Sequence, residues 1–65
     1  MRIVVNGEAT ETRAATLAEL CAALGFADAR IATAVNGDFV PEKARRQRPI
    51  APDDRIEIVA PRQGG

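Results

Sequence analysis

The side chains of this protein offer few groups that could perform chemistry. The sequence contains no histidine and no serine, and Cys21 is its one cysteine. Without histidine, neither a Ser/His nor a Cys/His nucleophilic pair can form, and the common zinc sites cannot be assembled. The carboxylates show no spacing that would pair a general acid with a general base. We therefore expect a chain that is not itself an enzyme and that binds no metal or cofactor.

The pair Gly64-Gly65 at the C-terminus is the remaining candidate for a chemical role. Glycine adds nothing to a core and loses more backbone entropy than any other residue when it is ordered. At an average glycine usage of roughly 7%, two terminal glycines arise by chance in about 0.5% of chains. The pair therefore suggests a function, with an incidental disordered end as the alternative.

Length and composition predict one small cytoplasmic domain. The 65 residues carry nine basic and nine acidic side chains, so the formal net charge is zero. A nucleic-acid-binding domain normally has a basic excess, and we expect no nucleic-acid partner. No apolar run reaches the length of a membrane span, and the N-terminal segment MRIVVNG becomes polar too early for a signal peptide. A single cysteine cannot form an internal disulfide, which favours the cytoplasm.

Several segments have the pattern of β-strands. RIVVN runs into Asn6-Gly7, a strong hairpin signal, and the polar segment EATET then returns as an edge strand. RIATAVN runs into a second turn, Asn36-Gly37, after which DFV pairs back briefly. RIEIVA is the last strand, with Ile56, Ile58 and Ala60 on one side. Between these strands, EKARRQR is predicted as a charged loop or short helical turn, and RPIAPDD as a connection.

The segment TLAELCAALGF predicts the main helix. Thr16 and Glu19 form a capping-box pattern, in which each side chain accepts a hydrogen bond from the other residue's backbone N–H. Gly25 stands where a helix often ends in a left-handed residue, and Phe26 could fold back onto the last turn. The apolar face of this helix follows the spacing i, i+3, i+4 and i+7, at Leu17, Leu20, Cys21 and Leu24.

These elements predict an α+β fold in two layers. One amphipathic helix needs one sheet face to cover, so we expect a mixed four- to five-stranded sheet packed on one main α-helix. If the last strand lies parallel to the first, the arrangement is the β-grasp fold of ubiquitin-like proteins. Residues 1–60 then form a single domain, and residues 61–65 form a flexible C-terminal tail that ends in Gly-Gly.

Two stretches carry a resemblance to a known family. ATAVNGDFVPEKAR (residues 32–45) and DDRIEIVAPRQGG (residues 53–65) resemble the ThiS family, the sulfur carriers of thiamine biosynthesis. The related carriers of molybdopterin synthesis are usually longer and tend to have two adjacent prolines before the glycines, where this chain has only Pro61. Family members often have Gly-Asp where this chain has Asp53-Asp54. If that turn needs a positive φ, we expect a small stability cost from Asp53.

The resemblance implies chemistry that other proteins perform on the C-terminus. An E1-like (ThiF-like) adenylating enzyme would use ATP to convert the Gly65 carboxylate to an acyl-adenylate. A cysteine-derived sulfur donor would then displace AMP and leave a thiocarboxylate, and a ThiG-like thiazole synthase would take up the sulfur. In this scheme Gly64 provides clearance in the partner's channel, and Pro61, Arg62 and Gln63 line its entry.

Two further surfaces are candidates for partner contacts. Strand alternation places Val4 and Val59 on the sheet face away from the helix, where they could form an apolar docking patch. The basic cluster is either a solvated surface or a region that steers docking onto an acidic partner. Its members are Lys43, Arg45, Arg46 and Arg48.

Other interpretations remain open from the sequence. Cys21 is expected to be a buried, inert residue, with a relay thiol in sulfur transfer as the alternative. The chain could instead serve molybdopterin synthesis or another sulfur-transfer pathway, or it could be a non-covalent β-grasp interaction module with incidental glycines. We expect a monomer, as suits a carrier that visits several enzymes.

Overall fold

The computed structural model describes residues 1–27 and 30–60. Within these residues the chain forms five strands, one α-helix and one 3₁₀ helix. In chain order they are β1 (Arg2–Val5), β2 (Glu8–Glu11), α1 (Leu17–Ala23), β3 (Ala32–Val35), β4 (Asp38–Val40), the 3₁₀ helix (Glu42–Gln47) and β5 (Arg55–Val59).

The strands form one mixed sheet in the order β2-β1-β5-β3-β4. Strands β1 and β2 form one antiparallel hairpin, and β3 and β4 form another. The last strand, β5, lies between the two hairpins, parallel to β1 and antiparallel to β3. This arrangement confirms the predicted α+β class and the β-grasp fold, with five strands.

Both hairpin turns have the backbone that their Asn-Gly sequences predict. Asn6 and Gly7 have φ values of 50° and 85°, and Asn36 and Gly37 have values of 51° and 89°. Two consecutive positive φ values define the type I′ turn, whose twist matches that of the flanking strands. Asparagine tolerates this region better than most residues, which explains its place at the first turn position.

Helix α1 covers one face of the sheet, and the core lies between these two layers. Ile3, Val35 and Ile56 are almost completely buried on the sheet side, and Leu17 and Leu20 are almost completely buried on the helix side. The predicted strand alternation is confirmed for Ile56 and Ile58, which are both buried. Ala60, predicted on the same side, lies beyond the end of β5 and is exposed.

The end of α1 departs from the prediction at Leu24. The helix stops at Ala23, and Leu24 is the C-cap residue with 38% of its surface exposed, so it is not part of the buried face. Gly25 has a φ of 91°, and its N–H donates to the carbonyl of Ala22 at 3.1 Å. The N–H of Phe26 donates to the carbonyl of Cys21 at 2.8 Å. These two bonds form a Schellman motif and confirm the predicted role of Gly25.

The start of α1 has a capping box that is shifted by one residue on one side. The Glu19 N–H donates to Thr16 Oγ1 at 3.2 Å, as the pattern predicts. The Glu19 carboxylate, however, accepts from the N–H of Ala15 at 2.8 Å, and not from that of Thr16. Thr16 instead forms an isolated antiparallel bridge with Pro49. The connection that packs across the helix start therefore changes the cap geometry.

That connection also supplies a core residue that the sequence pattern did not reveal. Ile50, in the segment predicted only as a connection, is 7% exposed and belongs to the hydrophobic core. Its N–H donates to the carbonyl of Ala15 at 3.1 Å, and the carbonyl of Arg48 accepts from the N–H of Leu17 at 2.9 Å. The segment before β5 is thus tied to the first turn of the helix.

The turn that leads into β5 contains a residue with a positive φ. The Asp54 N–H donates to the carbonyl of Ala51 at 3.1 Å, and Asp53 has a φ of 70°. A proline at the second position and a positive φ at the third are typical of a type II turn, which favours glycine at the third position. Asp53 therefore occupies a conformation in which an L-residue is strained, as the sequence comparison suggested.

Replacing Asp53 with glycine is expected to stabilise the protein. The substitution Asp53→Gly removes the strain of a positive φ, and we expect the free energy of unfolding to rise by about 0.5–1 kcal/mol. Urea unfolding at neutral pH measures the change. Asp53→Ala is the matched control, because it removes the same carboxylate but keeps a Cβ atom, and therefore the strain, at a positive φ. This variant should destabilise the fold. Equal stability of the two variants would show that this φ costs nothing.

Candidate functional site at the end of the last strand

The predicted reactive residues lie five and six positions beyond the end of β5. Gly64 and Gly65 lie outside the described residues, as do Pro61, Arg62 and Gln63. The structure describes the protein up to Ala60, one residue beyond the end of β5. The geometry around the last residues of β5 therefore defines the base from which the predicted tail starts.

The end of β5 is held by main chain on one side and by a side chain on the other. On the β3 side, Thr33 pairs with Ile58 and Ala32 pairs with Val59. On the β1 side, the strand pairing ends at Ile56, because β1 turns away at Asn6. The Asn6 side chain continues the ladder. Its Nδ2 donates to the carbonyl of Ile58 at 3.1 Å, and its Oδ1 accepts from the N–H of Ile58 at 2.9 Å.

A second asparagine holds the beginning of β5. Asn36 Oδ1 accepts from the N–H of Arg55 at 2.9 Å, and the Asn36 N–H donates to the carbonyl of Arg55 at 2.7 Å. Asn36 Nδ2 also donates to the Asp54 carboxylate at 3.0 Å, and the N–H of Ala51 donates to the same carboxylate at 2.8 Å. These two hydrogen bonds to its carboxylate, of which the one from Asn36 has the larger effect, hold the pKa of Asp54 below its usual value. Each Asn-Gly turn thus fixes one end of the central strand.

Val4 and Val59, predicted as one apolar patch, are on the same sheet face but far apart on it. Val4 is half-buried and pairs with Arg55 at the beginning of β5, whereas Val59 is 62% exposed at its end. Four residues of an extended strand separate the two positions by about 13 Å. The two valines therefore do not form a continuous surface.

Val59 instead lies with an aromatic residue that the sequence analysis did not select. Phe39 on β4 is 69% exposed, and it pairs with Ala34. Together with Ala32, these side chains line a shallow depression of about 240 Å³, to which Asn6, Thr33 and Glu57 also contribute. The available signal was the alternation in β4, since a buried Val40 places Phe39 on the open face. We call Phe39, Val59, Ala32 and Ala34 the apolar patch.

The basic cluster is divided by the structure into two kinds of residue. Arg45 is structural: its Nε donates to Thr33 Oγ1 at 3.0 Å, and its Nη2 donates to the carbonyl of Ile31 at 2.7 Å. Lys43 and Arg46 are exposed, and Arg48 is half-buried. The four cations therefore do not act as one solvated surface.

Cys21 lies on the buried face of α1, in the core and away from the open sheet face. Only 4% of its surface is exposed, and it packs with the other buried apolar side chains. Burial raises the pKa of the Cys21 thiol, and the positive charge of Arg45 opposes this shift to a smaller extent. A buried, protonated thiol is a poor nucleophile, which supports the prediction of an inert cysteine.

The described residues contain no group of three or more acidic, cysteine or histidine side chains that could hold a metal ion. Among the described helices, none is both long enough and apolar enough to cross a membrane.

Cys21 is expected to react slowly with thiol reagents in the native protein. At pH 8 an aromatic disulfide reagent should modify it at least about a hundredfold more slowly than in concentrated urea, because the reaction requires the core to open. The control is Ala23→Cys in a Cys21→Ala background, which places a thiol at an exposed position of the same helix. Rapid modification of native Cys21, at the rate of this control, would overturn the assignment.

Comparison with known proteins agrees with this geometry. The model of the ThiS family matches residues 2–65. The crystal structure of the thiamine biosynthesis protein ThiS from Geobacter metallireducens superimposes with a TM-score of 0.82, at 26% sequence identity, and the match covers 100% of both chains. No curated protein matches the chain. Because the family model spans nearly the whole sequence and the solved structure has the same fold, the chain belongs to the ThiS family.

Proposed function

We propose that the protein carries sulfur on the C-terminal carboxylate of Gly65, as a thiocarboxylate. Membership of the ThiS family makes the chain a sulfur carrier protein of thiamine biosynthesis. The observation that supports the proposed site is the position of Gly64-Gly65, which lie shortly beyond the central strand and within the residues 2–65 that the family model matches.

The proposed reaction begins with activation of the carboxylate by another protein. A carboxylate is a poor electrophile, so an E1-like, ThiF-like enzyme would join it to the α-phosphate of ATP and release pyrophosphate. The sulfur of a cysteine-derived donor would then attack the acyl-adenylate, and AMP would leave. With a persulfide donor this step leaves an acyl disulfide. A thiol would then reduce its S–S bond and form a disulfide with the donor, and Gly65 would keep the sulfur as a thiocarboxylate. ATP is thus consumed by the partner, and AMP is attached to this chain only transiently.

Glycine suits the end of such a carrier for steric reasons. A residue without a Cβ atom passes a narrow channel more easily and accepts a wider range of backbone angles, which helps one tail fit several enzymes. In this proposal Gly64 provides the clearance, and Pro61, Arg62 and Gln63 contact the entry of the channel. Ordering about five tail residues costs roughly 1–2 kcal/mol each, so contacts of the folded domain must offset this cost.

The apolar patch is the proposed source of these contacts. Enzymes of thiamine biosynthesis are the partners that the family implies. A ThiF-like adenylating enzyme and a ThiG-like thiazole synthase are the specific partners in our proposal. Val59 is part of the patch and is the last residue of β5, shortly before the tail. The surface of an enzyme that binds the tail would therefore also contact Phe39 and Ala32. Val4 would contribute a separate contact at the other end of β5. We also propose that the chain is monomeric when alone and cytoplasmic.

Conversion of Gly65 is expected to change the intact mass. After incubation with ATP, the adenylating enzyme and a sulfur donor, the mass should increase by the difference between one sulfur atom and one oxygen atom. Deletion of Gly65, or extension of the chain by one residue, should abolish the increase, because the reactive carboxylate is then absent or misplaced. Electrospray mass spectrometry measures the change.

Two outcomes would contradict the proposal. A mass increase that survives deletion of Gly65 would place the chemistry elsewhere in the chain. No increase at all, with an enzyme that is active on its own carrier, would favour a non-covalent interaction module or a different pathway such as molybdopterin synthesis.

Charges in the apolar patch are expected to weaken binding to the adenylating enzyme. Val59→Asp and Phe39→Asp should each raise the Kd by at least about tenfold, which is about 1.4 kcal/mol, because a carboxylate would be desolvated in the contact. Val4→Asp should also raise the Kd, by a smaller factor, since Val4 is half-buried and distant from the tail. Isothermal titration calorimetry gives the affinities.

The control is Ala23→Glu, which adds the same charge at an exposed position of the helix layer. Circular dichroism verifies that each variant is folded. An unchanged Kd for Val59→Asp and Phe39→Asp would remove the apolar patch from the interface.

A further inference from the structure

We propose that Asn6 is a positioning residue for the carrier reaction, because its side chain fixes the point from which the reactive tail leaves the domain. The inference rests on the function proposed above, and it concerns a residue that lies 59 positions away from Gly65 in the sequence. Asn6 does not touch the reacting atoms. It acts through the last residues of β5.

The hydrogen bonds on the β1 side of β5 follow a regular series that only a side chain completes. The Val4 N–H donates to the carbonyl of Asp54, and the Asn6 N–H donates to the carbonyl of Ile56, both at 2.9 Å. The next carbonyl in this series is that of Ile58. The chain has already turned away at Gly7, so the main chain of β1 cannot reach it. The Asn6 amide takes its place and bonds both the carbonyl and the N–H of Ile58.

The amide is therefore the contact that holds the end of β5 on this side. Ile58 is 6% exposed with Asn6 in place, and without the amide its N–H and carbonyl would lose these partly buried bonds and could bond only to water. The pairing with β3 would remain, but a strand end that is bonded on one side only opens more easily. Opening at Ile58 would also release Val59, the last residue of β5, from its pairing with Ala32.

A strand end that opens in this way presents Gly65 less well to an enzyme. More backbone must be ordered each time the carboxylate enters the partner's site, and the exposed Val59 would no longer be fixed beside Phe39. These costs are the same in the bound ground state and in the transition state. They therefore raise KM and leave kcat nearly unchanged. The chemistry at the carboxylate itself is not altered.

Asn36 provides a matched control for this effect. It has the same residue type, the same turn and nearly the same φ as Asn6, 51° against 50°, and its side chain also bonds β5. Its partners, however, are Arg55 and Asp54 at the beginning of the strand, away from the tail. Loss of its side chain should lower stability without loosening the end of β5.

The experiment compares Asn6→Gly with Asn36→Gly as substrates of the adenylating enzyme. Adenylation of Gly65 is monitored through ATP–pyrophosphate exchange. Glycine keeps the positive φ in both turns, so only the side-chain amide is lost. Asn6→Asp is a third variant: it keeps an acceptor for the Ile58 N–H but sets a carboxylate oxygen against the Ile58 carbonyl. All variants are assayed at a temperature at which circular dichroism shows them to be folded. Amide hydrogen exchange of Ile58 and Val59 is measured in parallel, without the enzyme.

We expect Asn6→Gly to raise KM by about tenfold, since roughly one further residue must be ordered on binding, and to speed exchange at Ile58 and Val59. Asn36→Gly should change neither quantity, and Asn6→Asp should also raise KM and speed exchange, because its carboxylate opposes the Ile58 carbonyl. Equal effects of the two glycine variants on KM, or no effect of Asn6→Gly, would overturn the inference while the proposed function stands. If the wild-type chain is not adenylated by an active enzyme, the proposed function fails, and the inference fails with it.

Discussion

The central position of β5 is the constraint on which the rest of this small fold depends. The strand lies between two hairpins that do not otherwise pair with each other, and it bonds to β1 on one side and β3 on the other. The same strand supplies Ile56 and Ile58 to the core and points Val59 to the opposite face. Sheet pairing, core packing and the point at which the chain leaves the sheet are therefore all set by five residues.

The two Asn-Gly turns extend this control beyond the main chain. Each asparagine accepts a positive φ that makes a tight hairpin, and its side chain then bonds the neighbouring central strand. One residue thus satisfies a local and a long-range requirement together. Asn6 and Ile58 are 52 residues apart in the sequence, which makes their contact one of the bonds that connect the two ends of the domain.

The two faces of the sheet carry different kinds of group. The inner face and α1 form the core, and Cys21 is enclosed there as an apolar residue. Arg45 is also absorbed into the structure, through Thr33 and the carbonyl of Ile31. The outer face keeps Phe39 and Val59 exposed beside the end of β5. Cys21 and Arg45 are thus both taken up by contacts within the folded domain.

Local patterns in the sequence predicted most of the elements, because their causes are local. The Asn-Gly turns, the Thr16 cap and Gly25 each depend on a few neighbouring residues, and the strand alternation placed Ile56 and Ile58 correctly. The two-layer arrangement followed from the need of one helix to cover one sheet face, and the β-grasp order followed only on the condition that the last strand lies parallel to the first.

What the sequence did not reveal depends on contacts between distant segments. Ile50 stands alone among prolines and becomes a core residue only because its segment crosses the start of α1. Leu24 fits the helical spacing, but the Schellman turn ends the helix before it. Phe39 and Val59 line one depression only because β3 pairs with both β4 and β5. No spacing along the chain shows that Asn6 bonds Ile58.

The late position of β5 in the chain also determines how the sheet can assemble. The two hairpins involve neighbouring segments and can form early, but an isolated hairpin is only marginally stable in water. Their inner edges, on β1 and β3, stay unpaired until β5 inserts between them, and Val4 must then meet Arg55 across most of the sequence. Contacts between residues so far apart in the sequence are slow to form, so we expect closure of the sheet to limit the rate of folding. Until that step, the two open edges are a template for the last strand of another copy, and strand exchange between chains is the characteristic risk of this topology.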